Sequence, residues 1–347
     1  MNESLFVSVI MPCRNEADHI EPALNSILQQ KADTFRFEVI VADGMSDDGT
    51  TELLEKMATA DPRIKVIPNP EKITPFALNH GIRAAGGEII VRMDAHTKYA
   101  DDYIEQCVQV LLKHNADCSG GAWRAAGENF LQKAIATAFQ SPFSAGGAKS
   151  HRVDYEGPVD AVYLGCWRKE TLESIGLFDE EFVRNQDDEL SLRLSKAGKL
   201  LWQSPKIWSC YYPRSSVKGL FRQYHQYGYW KVRVIQKHKL PASIRHLVPA
   251  LFTLALGVSA LGAPWLPWSA WIFGGLAGSY LSVSLFASLL TAIKMKNLLC
   301  FPVFPVLFGA FHFGYGTGFL AGMLDFMILS RGGQERFTAL TRNDHKK

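Results

Sequence analysis

A chain of 347 residues is long enough for one large domain with an appendage, or for two smaller domains. With 47% hydrophobic and 20% charged residues it is no disordered chain. The net charge of +3 hides a polarity: Met1–Glu189 holds 18 Lys/Arg against 31 Asp/Glu, while Leu190–His246 holds 12 Lys/Arg and no acid, the next acid being Asp325.

The opening MNESLFVSVIMPCRNE lacks a basic start followed by a long apolar run. No secretory signal is expected, and the N-terminal domain is expected to stay in the cytoplasm. LFVSVIMP, FEVIVAD, IKVIPN and EIIVRMD are short, rich in Val and Ile and bounded by polar, Gly or Pro residues, so they read as buried strands. Between them, HIEPALNSILQQ, TTELLEKMA and PFALNHGIRAA carry apolar residues at helical spacing. Strand–helix alternation predicts a mostly parallel sheet with helices on both faces. Ligands in such sheets sit beyond the carboxyl ends of the strands, which points to Pro12–Glu16, Asp43–Asp48 and Asp94–His96. The six cysteines (Cys13, Cys107, Cys118, Cys166, Cys210 and Cys300) form no CxxC pair, which argues against a zinc cluster and for a reducing compartment.

Further along, VRNQDDELSLRL (Val183–Leu194) reads as the start of a helix with three acids in its first turn. LFRQYHQYGYWKVR (Leu220–Arg233) mixes aromatic and basic residues, suiting a membrane interface with Tyr and Trp at headgroup depth. Leu247–Leu266 and Trp268–Ile293 contain no charge, and Leu298–Leu329 contains only Asp325; each is long enough to cross a bilayer. By the positive-inside rule the basic stretch before His246, Lys294/Lys296 and the tail (Arg331, Arg336, Arg342, Lys346, Lys347) all look cytoplasmic. Three full crossings would instead put the tail outside, and Pro302 and Pro305 offer a way to break the last segment into a re-entrant pair. The expected organisation is a catalytic domain over 1–213, a basic and aromatic interfacial segment over 214–245, a membrane region over 246–330 and a polar tail over 331–347.

The polar loops suggest chemistry. Arg14 and Glu16 can touch a nucleotide lying at the first loop, although a plain helix start reads equally well there. Asp43 ends an apolar strand, where a carboxylate can accept from the ring N–H of a uracil-type base; Ser46–Thr50 read mainly as a turn and helix cap. Asp94 and His96 are two apart, and a carboxylate with an imidazole suits Mn2+ better than Mg2+. Three acids at Asp187–Glu189 exceed what capping needs, so one of them can serve as general base. A dinucleotide-dependent oxidoreductase would show GxGxxG after the first strand, where PCRNEA stands. A non-catalytic scaffold would have lost its metal and base acids together, and both sets are present.

SVIMPCRNE, VADGMSDDGT, MDAH and NQDDELSLRL, in this order, resemble the family 2 glycosyltransferases, inverting enzymes with the GT-A fold. GIRAAGGEIIVRMDAH and VDAVYLGCWR look most like the bacterial succinoglycan-biosynthesis glucosyltransferase type, which also carries C-terminal membrane segments. The resemblance implies that Asp43 binds the nucleobase, that Pro12, Arg14 and Glu16 line the nucleotide, and that Asp94 and His96 hold metal and diphosphate. Asp187 matches the aspartate of the base motif, with Asp188 as runner-up. His96 replaces the commoner second aspartate, and Gln186 stands where glutamate is usual. Gln226-Tyr227-Gly228-Tyr229-Trp230 is similar to QxxRW with Tyr229 in place of arginine, which weakens a processive, polymer-forming reading. Gln226, Tyr229 and Trp230 thereby become candidates for the acceptor or the membrane interface. The implied partners are a UDP-sugar, a lipid-diphosphate-linked saccharide and the bacterial inner membrane, with no nucleic acid.

Overall fold

The computed structural model describes residues 5–239, 243–331, 333 and 337. The chain divides into two compact units, Met1–Arg124 with Lys149–Tyr211, and Ala125–Ala148 with Tyr212–Lys347.

The strands are β1 (Phe6–Cys13), β2 (Arg36–Asp43), β3 (Ile64–Pro68), β4 (Ile89–Arg92), β5 (Lys98–Tyr99), β6 (Cys118–Gly121), β7 (Arg124–Ala125), β8 (Gly157–Pro158), β9 (Tyr163–Arg168), β10 (Leu201–Gln203) and β11 (Ser209–Tyr211). The first unit's helices are α1 (Ile20–Leu28), α2 (Thr50–Ala60), α3 (Thr74–Ala84), α4 (Tyr103–Lys113), α7 (Lys169–Ser174) and α8 (Gln186–Lys196). The main sheet has the order β3-β2-β1-β4-β9-β6-β10-β8. β3, β2, β1 and β4 run parallel, and in chain order β1, β2, β3 and β4 are joined through α1, α2 and α3, as the alternating pattern predicts. β9 runs antiparallel between β4 and β6, a strand the apolar pattern did not announce.

Successive residues of β1 face opposite sides of the sheet, and both sides are apolar. Val7, Val9 and Met11 join the core under α1 and α4, while Ile10 joins Leu78 and Ile82 of α3 and Leu190 and Leu194 of α8. Gly81 permits α3 to lie this close, because a β-carbon there would overlap the Ile10 side chain. All six cysteines are buried and free.

The second unit contains α5 (Phe130–Phe139), α6 (Pro142–Ala145), α9 (Val217–His238), α10 (Val248–Gly262), α11 (Pro267–Lys294) and α12 (Val303–Gly322), the last continuing as a π-helical stretch over Met323–Ile328. Among the described residues, three helices are long and apolar enough to cross a membrane: Ile244–Gly262, Pro267–Lys294 and Val303–Ile328. The last runs unbroken. Pro302 caps it and Pro305 lies in its first turn, where a missing N–H costs nothing, so neither proline splits it into a re-entrant pair. Of the tail's basic residues, Arg336, Arg342, Lys346 and Lys347 lie outside the described residues.

α9 lies along α12 through a glycine seam. Gly314, Gly318 and Gly322 recur every fourth residue and, with Gly228 on α9, bring the two backbones together; a β-carbon on any of them would overlap the opposing main chain.

Candidate active site

Two loops at the carboxyl ends of β1 and β2 are laced together. Asn15 takes a left-handed conformation (φ 55°). The amides of Asn15, Glu16 and Ala17 then donate in turn to Ser46 Oγ (2.9 Å), Thr50 Oγ1 (2.9 Å) and Asp48 Oδ2 (3.3 Å). The Asn15 amide group also donates to Asp47 Oδ1 and accepts from the Asp47 N–H. Asp48 works against burial, but the bonds from Thr50 and Ala17 hold its carboxyl below the usual range. Ser46, Asp48 and Thr50 thus lace the first loop, while the N-cap of α2 is Gly49, which has no side chain to cap it, and Asn15 is half of the lacing. Asp43, buried at the last position of β2, accepts from Ser46 Oγ at 2.5 Å and from Thr51 Oγ1 at 2.8 Å. Pro12 pairs with Ala42 one residue before Asp43. A β-carbon at Gly44 would press on Arg14, so the glycine gives that side chain room beside Asp43.

The third loop leaves β4. The Asp94 amide donates to Tyr99 Oη at 2.6 Å, and the phenol donates back to the Asp94 carbonyl at 3.2 Å. Burial, then the Asp94 charge, push the Tyr99 phenol well above its ordinary pKa, so it remains a donor. His96 Nδ1 lies 3.3 Å from Glu16 Oε1, which leaves Nε2 as the ring nitrogen open to a ligand.

The fourth element is the first turn of α8, entered through a left-handed Asn185 (φ 63°). Glu189 is fully buried in a two-bond pair with Arg193 one turn later, which makes it structural. Asp187 accepts from Arg92 Nη1 at 2.6 Å, while Arg92 Nε and Nη2 reach the two oxygens of Asp94 at 3.0 and 3.3 Å. Arg92, 6% exposed at the end of β4, therefore joins the two acid motifs. Burial opposes its charge, but Asp187 and Asp94 outweigh that and raise its pKa. The Asp187 carboxyl is raised from its ordinary pKa, first by the protein packed around it and then by Asp94 and Asp188, with Arg92 opposing the shift. Even so, 47% of its side chain is open to solvent. Arg92 had no role in the sequence reading, although an arginine ending the apolar run IIV is itself a signal.

Among the described residues no three His, Cys, Asp or Glu side chains are grouped to hold a metal. Asp94 and His96 nevertheless offer one carboxylate and one imidazole nitrogen. That short set fits Mn2+ or Mg2+ held jointly with phosphate oxygens and water.

Gln226, Tyr229 and Trp230 are buried within the second unit rather than displayed at a surface. Tyr229 donates to Asp325 Oδ2 at 2.9 Å and Trp230 Nε1–H to the Phe337 carbonyl at 3.2 Å. An aromatic, basic helix looks interfacial from sequence. Here its small and aromatic face is taken up by α12.

A family model described as Glycosyl transferase family 2 matches residues 8–174, which hold the first three loops. Succinoglycan biosynthesis protein ExoA of Rhizobium meliloti (strain 1021) is 34% identical over 321 residues, 92% of this chain and 95% of that protein. The dolichyl N-acetyl-alpha-D-glucosaminyl phosphate 3-beta-D-2,3-diacetamido-2,3-dideoxy-beta-D-glucuronosyltransferase of Methanococcus voltae is 27% identical over 92% of this chain and 97% of its own. Among solved structures, the mannosyltransferase PcManGT from Pyrobaculum calidifontis, in complex with GDP-Man and Mn2+, matches with a TM-score of 0.58 at 21% identity over 90% of this chain and 86% of that one. The sheet thus has the GT-A fold, and the chain belongs to glycosyl transferase family 2.

Proposed function

We propose that this chain is an inverting, metal-assisted hexosyltransferase. It moves a hexose, glucose in the first instance, from a UDP-sugar to a lipid-diphosphate-linked saccharide in exopolysaccharide biosynthesis. It works at the bacterial inner membrane with its catalytic unit on the cytoplasmic side. The observation that carries this reading is Arg92 gathering Asp94 and Asp187 at one point, so that donor site and base are neighbours.

Asp43 accepts from the uracil ring N–H, with Pro12 and Arg14 lining the nucleotide. Asp94 and His96 would hold the ion, which when bound would neutralise charge building on the leaving diphosphate. Asp187, with Asp188 as its stand-in, takes the proton of the acceptor hydroxyl as that oxygen bonds to the anomeric carbon. The bond from that carbon to the diphosphate oxygen breaks with its electron pair, and UDP departs. Attack from the opposite side turns an α-linked donor into a β-linked product. The names of the Rhizobium and Methanococcus relatives support the pathway and the lipid-linked acceptor. The basic stretch Leu190–His246 and the exposed Lys294 and Lys296 support the orientation.

The test is a panel of labelled nucleotide sugars with membranes carrying the full chain, following label into the lipid fraction. UDP-glucose should label it, and Asp187→Asn should not. Transfer from GDP-sugars alone would overturn the donor, a retained α-linkage the inversion, and an active Asp187→Asn the base.

A further inference from the structure

Glu16 sits at a loop that lines the donor crevice, yet a carboxylate repels a diphosphate. The backbone there is no phosphate cradle either. The amides of residues 15, 16 and 17 are spent on Ser46, Thr50 and Asp48, so a nest of free N–H groups of the kind that binds anions is missing. What the lacing does is fix the loop, and with it the place where Glu16 Oε1 meets His96 Nδ1, 3.3 Å away. Both side chains are part-buried, Glu16 at 19% and His96 at 28% exposed.

Resting on the reading of Asp94 and His96 as the metal pair, we propose that Glu16 is a positioning residue for His96 rather than a nucleotide contact. By accepting from Nδ1–H it selects one tautomer of the neutral imidazole, orients the ring and presents the Nε2 lone pair to a divalent cation. The same geometry accounts for an imidazole at residue 96. A carboxylate in its place would face Glu16 with like charge. Histidine turns that neighbour from an opponent into a support.

The experiment uses the full chain in detergent, labelled with 15N-histidine, stripped of metal and held at mildly alkaline pH. His96→Ala identifies the His96 signals. Wild type and Glu16→Gln, which keeps an acceptor oxygen, should show His96 protonated at Nδ1. Glu16→Leu should move the proton toward Nε2. Mn2+ binding, read by electron paramagnetic resonance with UDP and in parallel with GDP, should weaken about 10–100-fold in Glu16→Leu, the range for loss of a histidine's outer partner, and much less in Glu16→Gln. In a His96→Asp background the sign reverses: Glu16→Gln should tighten Mn2+ binding. His96 protonated at Nε2 in wild type, or unaltered Mn2+ binding in Glu16→Leu, would overturn the proposal, as would a His96→Asp background in which Glu16→Gln has no effect. If His96→Ala itself left Mn2+ binding intact, the metal pair would fall instead, and the tautomer measurement would still judge the Glu16–His96 contact.

Discussion

At the scale of single residues, a buried guanidinium held between two carboxylates decides how each behaves. Arg92 favours the ionised form of Asp187 and keeps it near Asp94, while loss of water pulls the Asp187 pKa upward. A base must be ionised to act, so activity rises as pH climbs through this raised value. The acid limb of kcat/KM should therefore lie above that of an ordinary aspartate. Removing a cation that lowers the pKa should move the limb higher still in Arg92→Gln. A limb left in place by that substitution would separate Arg92 from the base. Arg92→Gln should also reduce kcat by about 100-fold, the low end for loss of a positioned base, with Arg92→Lys in between because an ammonium lacks the planar fork. EDTA should abolish transfer, and Mn2+ should restore it better than Mg2+; transfer indifferent to EDTA would remove the ion from the proposal.

Among the elements, the α9–α12 seam is an exacting contact, since its glycines leave no room for a side chain. Gly318→Leu should push the backbones apart at a cost of about 1–3 kcal/mol, visible as a lower melting temperature in detergent. Gly274→Leu on α11, where a β-carbon meets nothing within 4 Å, should melt as wild type does. Equal melting of the two variants would mean that the seam is not a tight joint. The same pair of helices shows where sequence reading stops. β1 to β4 were legible as short Val- and Ile-rich runs, α1 to α3 by their helical spacing, and α10 to α12 because apolar length suffices. The partnership of α9 with α12 was not, since the seam glycines of GYGTGFLAG pair with a helix about ninety positions earlier and no local period signals it. Distance along the chain also hid the site's centre. Asp43, Asp94 and Asp187 stood out as acids following apolar strands or opening a helix, but the Arg92–Asp187 bond spans 95 positions. Antiparallel β9 was missed for a related reason: YLGCWR is short, and its glycine and arginine blur the apolar run.

For the whole molecule, an acidic N-terminal portion is followed by a basic stretch and three apolar helices. That order makes the sidedness of the chain measurable. With every native thiol buried, and the Cys13 thiol pushed above its ordinary pKa by burial and the acids around it, the protein should be silent toward an impermeant maleimide. A cysteine placed at Trp265, which is 77% exposed in the turn between α10 and α11, or at the exposed Lys296 after α11, would then be the sole reactive group. In intact cells Trp265→Cys should take up the reagent, while Lys296→Cys should react only after the envelope is opened. The reverse pattern would invert the orientation. Buried sulfur, kept for packing, thus leaves a blank background on which the path of the chain through the bilayer can be drawn one label at a time.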